Sequence, residues 1–95
     1  VWEHLARDEV DAVMRLYFEA IGLATGGVEP YRSVAADLVH SWTTWTVAHL
    51  DMPAAVRRDE AEACVATLDG LLLLRQLAGA DVADRAAARV WAGVS

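Results

Sequence analysis

The chain has 95 residues, a formal net charge of −6 at pH 7 and a single cysteine. These values favour one small domain, exclude an intrachain disulfide and argue against direct nucleic-acid binding by this segment, since nucleic-acid binders carry a basic patch. Hydrophobic residues, counted with Tyr and without Gly, make up 56% of the chain. The average for soluble domains, roughly 45–50%, is counted with Gly and without Tyr. On that count, with the two Tyr removed and the six Gly added, the chain has about 60%. A small domain exposes much of its surface, so this surplus indicates a covered interface, a ligand cavity, or both.

The sequence indicates no targeting or membrane-spanning segment. The N-terminus has no basic region followed by an apolar run, and the leucine run at residues 71–74 is far too short for a bilayer. We therefore expect a cytoplasmic protein with no membrane partner, and the single thiol of Cys64 fits a reducing compartment. The chain begins without Met in the middle of a helical pattern, which we interpret as a piece of a longer protein.

Hydrophobic periodicity predicts an all-α chain, with no strand pattern and no internal repeat. Residues 1–6 are typical of the end of a helix. The next helix is predicted to begin at Asp8, which forms an N-cap signature with Asp11, and to end at Gly26. Because its apolar stripe is broad, we expect more than half of its surface to be buried. The stripe consists of Val10, Val13, Met14, Leu16, Tyr17, Ala20, Ile21, Leu23 and Ala24.

A second long helix is predicted from Pro30, which suits a first turn, to about Leu50. Its apolar residues recur at spacings of three and four and are Tyr31, Val34, Ala35, Leu38, Trp42, Trp45 and His49. Residues 53–58 fit either a loop or an early first turn. Asp59 and Glu62 form a capping box, so the third helix is predicted to start at Asp59.

The third helix is predicted to run to Ala78, and its residues 66–77 place apolar side chains around the whole helix circumference. Such a helix must be covered on every side, and a chain this short has few helices with which to cover it. The simplest cover is a second copy, so we predict a homodimer.

The last helix is predicted to begin at Asp81, and the short connection Gly79–Ala80 predicts that the last two helices are antiparallel neighbours. Its apolar face consists of Ala83, Ala87, Val90, Trp91 and Val94.

Three segments carry a family resemblance. They are the aromatic helix at residues 16–24 (Leu-Tyr-Phe-Glu-Ala-Ile-Gly-Leu-Ala), the segment 39–45 that runs from Val-His-Ser-Trp to the next Trp, and the run Leu-Asp-Gly-Leu-Leu-Leu at 68–73. The last of these is followed by a short gap and an Ala-rich amphipathic helix. In this order they resemble the C-terminal ligand-binding and dimerisation domain of TetR-family transcriptional regulators, and the resemblance covers residues 1–95 as a single domain.

The resemblance implies the regulatory domain of a ligand-responsive transcriptional regulator, in the first instance a repressor. Residues 1–6 would be the end of a connecting helix, and the full-length protein would bind DNA only through an N-terminal helix-turn-helix domain. The chain would form an antiparallel bundle of about four helices, whose last two would join those of a second copy in an intermolecular four-helix bundle. Effector binding would move the connecting helix and change the spacing of the DNA-reading heads.

Aromatic and apolar residues on facing predicted helices indicate where an effector would bind, because small-molecule pockets are mostly apolar with a few polar groups. His49, Thr46 and the hydroxyl of Tyr17 would supply the polar groups, and the effector would be hydrophobic or planar. The alternative interpretation is that these residues simply form the core, where a histidine on an apolar stripe is more often hydrogen-bonded. The predicted pocket residues are Met14, Tyr17, Phe18, Ile21, Trp42, Trp45, His49 and Leu68.

The dimer interface is predicted on the last two helices. Asp69 is its polar residue; it faces the dimer axis or lies at the rim in water. Burial of Asp69 would require a hydrogen-bonding partner, such as Arg75 or Arg89 of the partner subunit. The predicted interface residues are Ala66, Asp69, Gly70, Leu73, Leu77, Ala83, Ala87, Val90 and Trp91.

The sequence does not indicate catalytic or metal chemistry, and we expect neither enzymatic activity nor a cofactor. Asp37 and His40 have the carboxylate-x-x-His spacing of di-iron bundles, but the second motif and the extra carboxylates are lacking. Cys64 fits a buried, inert thiol. Two alternatives stay open: a helical homodimerisation module with a filled core and no ligand and, ranked last, a small helical-bundle enzyme using His49 and Thr46.

Overall fold

A computed structural model describes residues 2–92, and over this range it contains five α-helices and no strand. The all-α prediction is therefore confirmed. The helices are α1 (Trp2–Leu5), α2 (Asp8–Thr25), α3 (Tyr31–His49), α4 (Ala54–Ala78) and α5 (Ala80–Ala92). Val94, predicted on the apolar face of the last helix, lies outside the described residues, as does Val1.

Glycines end two of the helices in the left-handed backbone conformation that other residues rarely adopt. After α2, the N–H of Gly27 donates to the carbonyl oxygen of Ala24 (3.0 Å) and the N–H of Val28 donates to that of Leu23 (3.1 Å). These two bonds form a Schellman motif, with Gly27 at a φ of 81°. Gly79, at a φ of 99°, is the single residue between α4 and α5. The predicted ends of both helices are confirmed to within one residue.

The start of α4 predicted at Asp59 is wrong by more than one turn, because the helix begins at Ala54. Of the two alternatives for residues 53–58, the structure shows the early first turn. The carbonyl oxygen of Pro53 accepts from the N–H groups of Val56 (3.1 Å) and Arg57 (3.2 Å), which closes the first turn. The guanidinium of Arg57 also donates twice to the carbonyl oxygen of Met52 (2.8 and 3.1 Å). Asp59 therefore lies inside the helix, where the predicted capping box has no helix end to cap.

The described residues group into two compact units, and the boundaries between them fall within α2 and within α4. The first unit contains residues 2–18 and 68–92, and the second contains residues 19–67. The prediction of a single domain over residues 1–95 stays a prediction. The buried residues of the first unit are Met14, Leu71, Leu72, Ala83 and Ala87, and those of the second are Thr43 and Ala61.

The buried face of α2 is narrower than predicted. Met14 is its one buried residue, whereas Val13 and Leu16 are 64% and 68% exposed. That more than half of the surface of this helix is buried stays a prediction. The contact with α4 includes polar groups of Asp11 and Tyr17, so the inward side of the helix is not purely apolar.

The apolar stripe predicted for α3 lies largely on the surface. Tyr31, Val34 and Trp45 are exposed, and the buried residue of this helix is Thr43. The hydroxyl of Thr43 donates to the carbonyl oxygen of Val39 at 2.7 Å, so its burial leaves no unpaired polar group. The buried residue of this helix is therefore a small one and not one of its aromatic residues.

Candidate functional site

A bidentate ion pair joins α2 to α4 within the first unit. The guanidinium of Arg75 donates to both carboxylate oxygens of Asp11, from Nε at 2.7 Å and from Nη2 at 3.2 Å. It also reaches the fully exposed carboxylate of Asp8 at 3.5 Å. The Arg75 side chain is only 9% exposed, and the hydrogen bond to Asp11 raises the pKa of Arg75 above its ordinary value. The amide of Gln76 adds a hydrogen bond to the backbone carbonyl oxygen of Asp11 (2.9 Å), so one turn of α4 holds the start of α2.

A second polar pair connects the same two helices nearer the middle of α2. The hydroxyl of Tyr17 donates to Oδ2 of Asp69 at 3.1 Å, and both side chains are half-buried. Burial raises the pKa of Tyr17 to about 12, with the charge of Asp69 and the hydrogen bond adding to the effect. Burial also raises the pKa of Asp69, and the hydrogen bond from Tyr17 partly opposes that rise. The pair is an oriented hydroxyl and a partly desolvated carboxylate.

This geometry gives Asp69 a partner in its own chain. The predicted partners were Arg75 or Arg89 of the partner subunit, or water at the rim. Arg75 of the same chain binds Asp11 instead, and Tyr17 binds Asp69. The placement of Asp69 at a dimer interface stays a prediction, but its hydrogen bond to Tyr17 does not depend on a second copy.

The predicted pocket residues divide between the two units. Met14 is buried in the first unit, where Tyr17 and Phe18 meet edge to face with ring centroids 5.3 Å apart. Leu68, the fourth member in this unit, is partly buried. The remaining four residues, Ile21, Trp42, Trp45 and His49, belong to the second unit. That all eight line one pocket stays a prediction.

The polar members of the second unit are engaged within α3 itself. The His49 ring stacks on Trp45 at a centroid distance of 4.0 Å, and its Nδ1 lies 2.8 Å from the Trp45 carbonyl oxygen. A carbonyl oxygen can only accept, so this nitrogen carries the proton. The hydroxyl of Thr46 donates to the carbonyl oxygen of Trp42 at 2.8 Å. His49 and Trp45 are exposed, so the interpretation of His49 as a core residue is wrong although its hydrogen bond is present.

The predicted interface residues separate into buried and exposed sets. Ala83 and Ala87 are 0% and 2% exposed, so they belong to the core of the first unit and have no surface left for a second copy. Their prediction as contacts between copies is corrected on this ground. Asp69 is half-buried. The exposed members are Ala66, Gly70, Leu73, Leu77, Val90 and Trp91.

Three of the four exposed members on α4 form what we call the exposed stripe, defined as Gly70, Leu73 and Leu77. Leu73 is 40% and Leu77 78% exposed, whereas Leu71 and Leu72 are buried. A Cβ added at Gly70 would meet nothing within 4 Å, so the chain leaves open space at this point of the stripe. The apolar circumference of α4 thus has one face in the core and one on the surface.

A cavity that the sequence did not predict lies between α1 and α5 in the first unit. Its volume is about 450 Å³, and its lining includes Trp2, Asp84 and Trp91. The indole N–H of Trp2 donates to Oδ1 of Asp84 at 2.9 Å. The two indole centroids lie 6.3 Å apart with their planes at 42°. Trp2 and Trp91 are far apart in the sequence, and no local pattern links them.

Within residues 2–92, no group of three or more His, Cys, Asp or Glu side chains could hold a metal ion. In the same range, no helix has the length and apolar character needed to span a bilayer. Comparison with protein-family models, curated proteins and solved structures finds no match for this chain.

Proposed function

We propose that this chain is the effector-binding and dimerisation domain of a ligand-responsive transcriptional regulator of the TetR type. It acts as a homodimer in the cytoplasm, without catalytic activity, and DNA reading belongs to a helix-turn-helix domain of the full-length protein. The observation that carries the proposal is the exposed stripe on α4. Its residues Gly70, Leu73 and Leu77 follow each other at spacings of three and four, which places them on one helix face.

The chemistry of the stripe supports a second copy as its cover. Fully burying one leucine side chain contributes roughly 1.5–3 kcal/mol to the free energy of association. A two-fold interface contains each leucine twice, once from each subunit. The open space at Gly70 allows a partner helix to approach its backbone closely. Val90 of α5, which is 40% exposed, is a further exposed apolar side chain in the same unit.

The effector half of the proposal is supported by the family resemblance and by the aromatic and polar groups of α2. Tyr17 combines a ring that packs against Phe18 with a hydroxyl oriented by Asp69. A few oriented polar groups among apolar ones are typical of small-molecule sites. The alternative is a helical homodimerisation module with a filled core and no ligand, which shares the exposed stripe but binds no effector.

Charge substitution tests the dimerisation half. Leu73→Arg is expected to convert a dimer to a monomer, because two like charges would meet on the exposed stripe. Leu16→Arg is the matched control, since Leu16 is 68% exposed on α2, outside the predicted interface. Size-exclusion chromatography with light scattering measures both. If Leu73→Arg stays as dimeric as Leu16→Arg, the exposed stripe is not the interface and the proposal fails.

Effector binding, the second part of the proposed function, needs a separate measurement. The chain has four tryptophans, whose indole N–H signals report locally in a proton–nitrogen NMR spectrum. Planar aromatic compounds are expected to shift the signal of Trp42 and to raise the melting temperature. If no compound in a broad aromatic set does either while the protein is dimeric, the filled-core module is the better description.

A further inference from the structure

Asp69 borders the exposed stripe on α4. Helix residues three and four apart are neighbours on the helix surface, and the two such neighbours that follow Asp69 differ in burial. Leu72 is 5% exposed, whereas Leu73, on the stripe, is 40% exposed. Gly70, the next residue of the chain, also belongs to the stripe. Asp69 is half-buried itself, so it lies on the boundary between the buried face of α4 and the exposed one.

The carboxylate of Asp69 has a neutral partner in its own chain. The hydroxyl of Tyr17 on α2 donates to its Oδ2 at 3.1 Å, and within residues 2–92 this is the one hydrogen bond that the carboxylate accepts. Burial raises the pKa of Asp69, and the hydrogen bond from Tyr17 opposes that rise. Arg75, the arginine that follows on α4, is bound to Asp11 of α2.

No cation of the first unit compensates the charge of Asp69 among the described residues. The charged and titratable groups of α1 and α5 form neither a hydrogen bond nor an ion pair with it. These groups are Glu3, His4, Asp81, Asp84, Arg85 and Arg89. The negative charge of Asp69 is therefore stabilised by water and by one neutral hydroxyl.

A second copy on the exposed stripe would change the free energy of that charge. A partner helix seated on Gly70 and Leu73 would remove water from the adjoining carboxylate, and a two-fold interface would do so in both copies. Loss of water disfavours the charged form of a carboxyl group unless a cation meets it. A protonated Asp69 keeps an oxygen that accepts from Tyr17, so proton uptake leaves the bond between α2 and α4 in place.

We propose that association of two copies through the exposed stripe takes up a proton at Asp69 of each copy, so that the dimer tightens as the pH falls. The inference rests on the dimerisation part of the proposed function and adds a regulatory group to that interface. Its sign follows from linkage, because the dimer would hold more protons than two separate chains. The effect is lost at higher pH, where Asp69 is charged in both states.

The test is the dimer dissociation constant of the whole chain, measured by sedimentation equilibrium between pH 7.5 and 5 at constant ionic strength. Asp69→Asn keeps an acceptor for Tyr17 and removes the charge, so it is expected to associate more tightly than wild type at pH 7.5. Over the pH range, the wild-type dissociation constant should fall by about threefold or more beyond the fall in Asp69→Asn.

Asp37→Asn is the matched control. It removes the same charge from an exposed position on α3, in the other unit, so it changes the net charge of the chain equally. Its dissociation constant at pH 7.5 should stay within about twofold of the wild-type value, and its pH dependence should follow that of wild type. The comparison separates Asp69 from the general repulsion between two acidic chains.

Tyr17→Phe provides a second measurement that does not depend on the folding of Asp69→Asn. The hydrogen bond from Tyr17 lowers the pKa of Asp69, so its loss should move the acid-induced tightening to higher pH without abolishing it. Circular dichroism verifies that each variant is folded. An unchanged pH profile in folded Tyr17→Phe would contradict Asp69 as the titrating group.

The outcomes distinguish this inference from the proposed function. A monomer at every pH would overturn both. A dimer whose dissociation constant depends on pH equally in wild type and Asp69→Asn would overturn the inference alone. A dimer that weakens as the pH falls, with that dependence lost in Asp69→Asn, would also overturn it. That result would show a charged Asp69 paired with a cation, such as Arg89 of the partner subunit.

Discussion

Two carboxylates at the contact between α2 and α4 accept hydrogen bonds from different kinds of donor, one charged and one neutral. Asp11 accepts two hydrogen bonds from the Arg75 guanidinium, so its charge is compensated where it is partly buried. Asp69 accepts one bond from the neutral hydroxyl of Tyr17, and burial disfavours its charge. The first pair therefore contributes mainly through charge, and the second mainly through orientation.

Tyr17→Phe is expected to lower the free energy of unfolding by about 1–2 kcal/mol at neutral pH, because the half-buried carboxylate of Asp69 loses its donor. Wild type should also lose stability as the pH rises from 10 to about 12. The unfolded chain releases the Tyr17 proton near its ordinary pKa of 10, whereas the folded chain keeps it until about 12. The Phe variant lacks this alkaline component. Urea unfolding across that pH range measures both effects.

Tyr31→Phe is the matched control for Tyr17→Phe, since Tyr31 is an exposed tyrosine on α3. It should change the unfolding free energy by less than about 0.5 kcal/mol. Equal stability of the two variants at neutral pH would show that the bond between Tyr17 and Asp69 contributes nothing.

Arg75→Met is expected to cost about 2–3 kcal/mol of unfolding free energy, because Asp11 would keep a partly buried charge without its partner. Asp8→Asn should cost less than about 0.5 kcal/mol, since the Asp8 carboxylate is 99% exposed and 3.5 Å from the guanidinium. Chemical denaturation of both variants measures the difference. A small loss for Arg75→Met, within the range of Asp8→Asn, would contradict the role given to the ion pair.

The sequence indicated that Asp69 needs a partner if buried, but it could not indicate which one. Asp69 and Tyr17 are 52 residues apart along the chain, and Arg75 and Asp11 are 64 apart. A helical period shows which residues share a face but not which face of another helix they meet.

At the scale of helices, the ends marked by glycine were predictable and the start of α4 was not. Helices commonly end at a residue with a positive φ, and glycine is almost the only residue that adopts it readily. A glycine that follows a helical pattern, such as Gly79, therefore predicts the end of the helix. A capping box, in contrast, contains residues that a helix interior also accepts, and Pro53 with Arg57 supplied an earlier start. The inward face of α3 was missed for a related reason. Thr43 bonds its own helix and can therefore be buried, while larger apolar residues lie outside.

Gly79→Ala is expected to lower the unfolding free energy by about 1–2 kcal/mol, because alanine is strained at a φ of 99°. Gly22→Ala is the matched control with the opposite sign. Gly22 lies within α2, an added Cβ there meets nothing within 4 Å, and alanine favours a helix over glycine by about 1 kcal/mol. Thermal unfolding of the two variants should move the melting temperature in opposite directions. A shift of the same sign in both would contradict the assignment of Gly79 as a helix end.

At the scale of the molecule, the sequence predicted the all-α class correctly, and the apolar run that it indicated on α4 is partly exposed in the single chain. The apolar circumference of α4 does divide into a buried face at Leu71 and Leu72 and an exposed face at Leu73 and Leu77. Composition could not show that Ala83 and Ala87 would fill the core, since alanine suits both a core and a helix interface. The cavity between α1 and α5 was beyond prediction, because it depends on two helices from opposite ends of the chain.

The most direct test of the proposed dimerisation is the solution mass of the chain by light scattering over a hundredfold dilution series. We predict twice the chain mass of 10.3 kDa throughout the upper part of the series. That result means that a second copy covers the exposed stripe, and the Leu73→Arg variant then maps the contact. A mass of one chain at every concentration would contradict the proposal, because Leu73 and Leu77 would remain uncovered in the native protein.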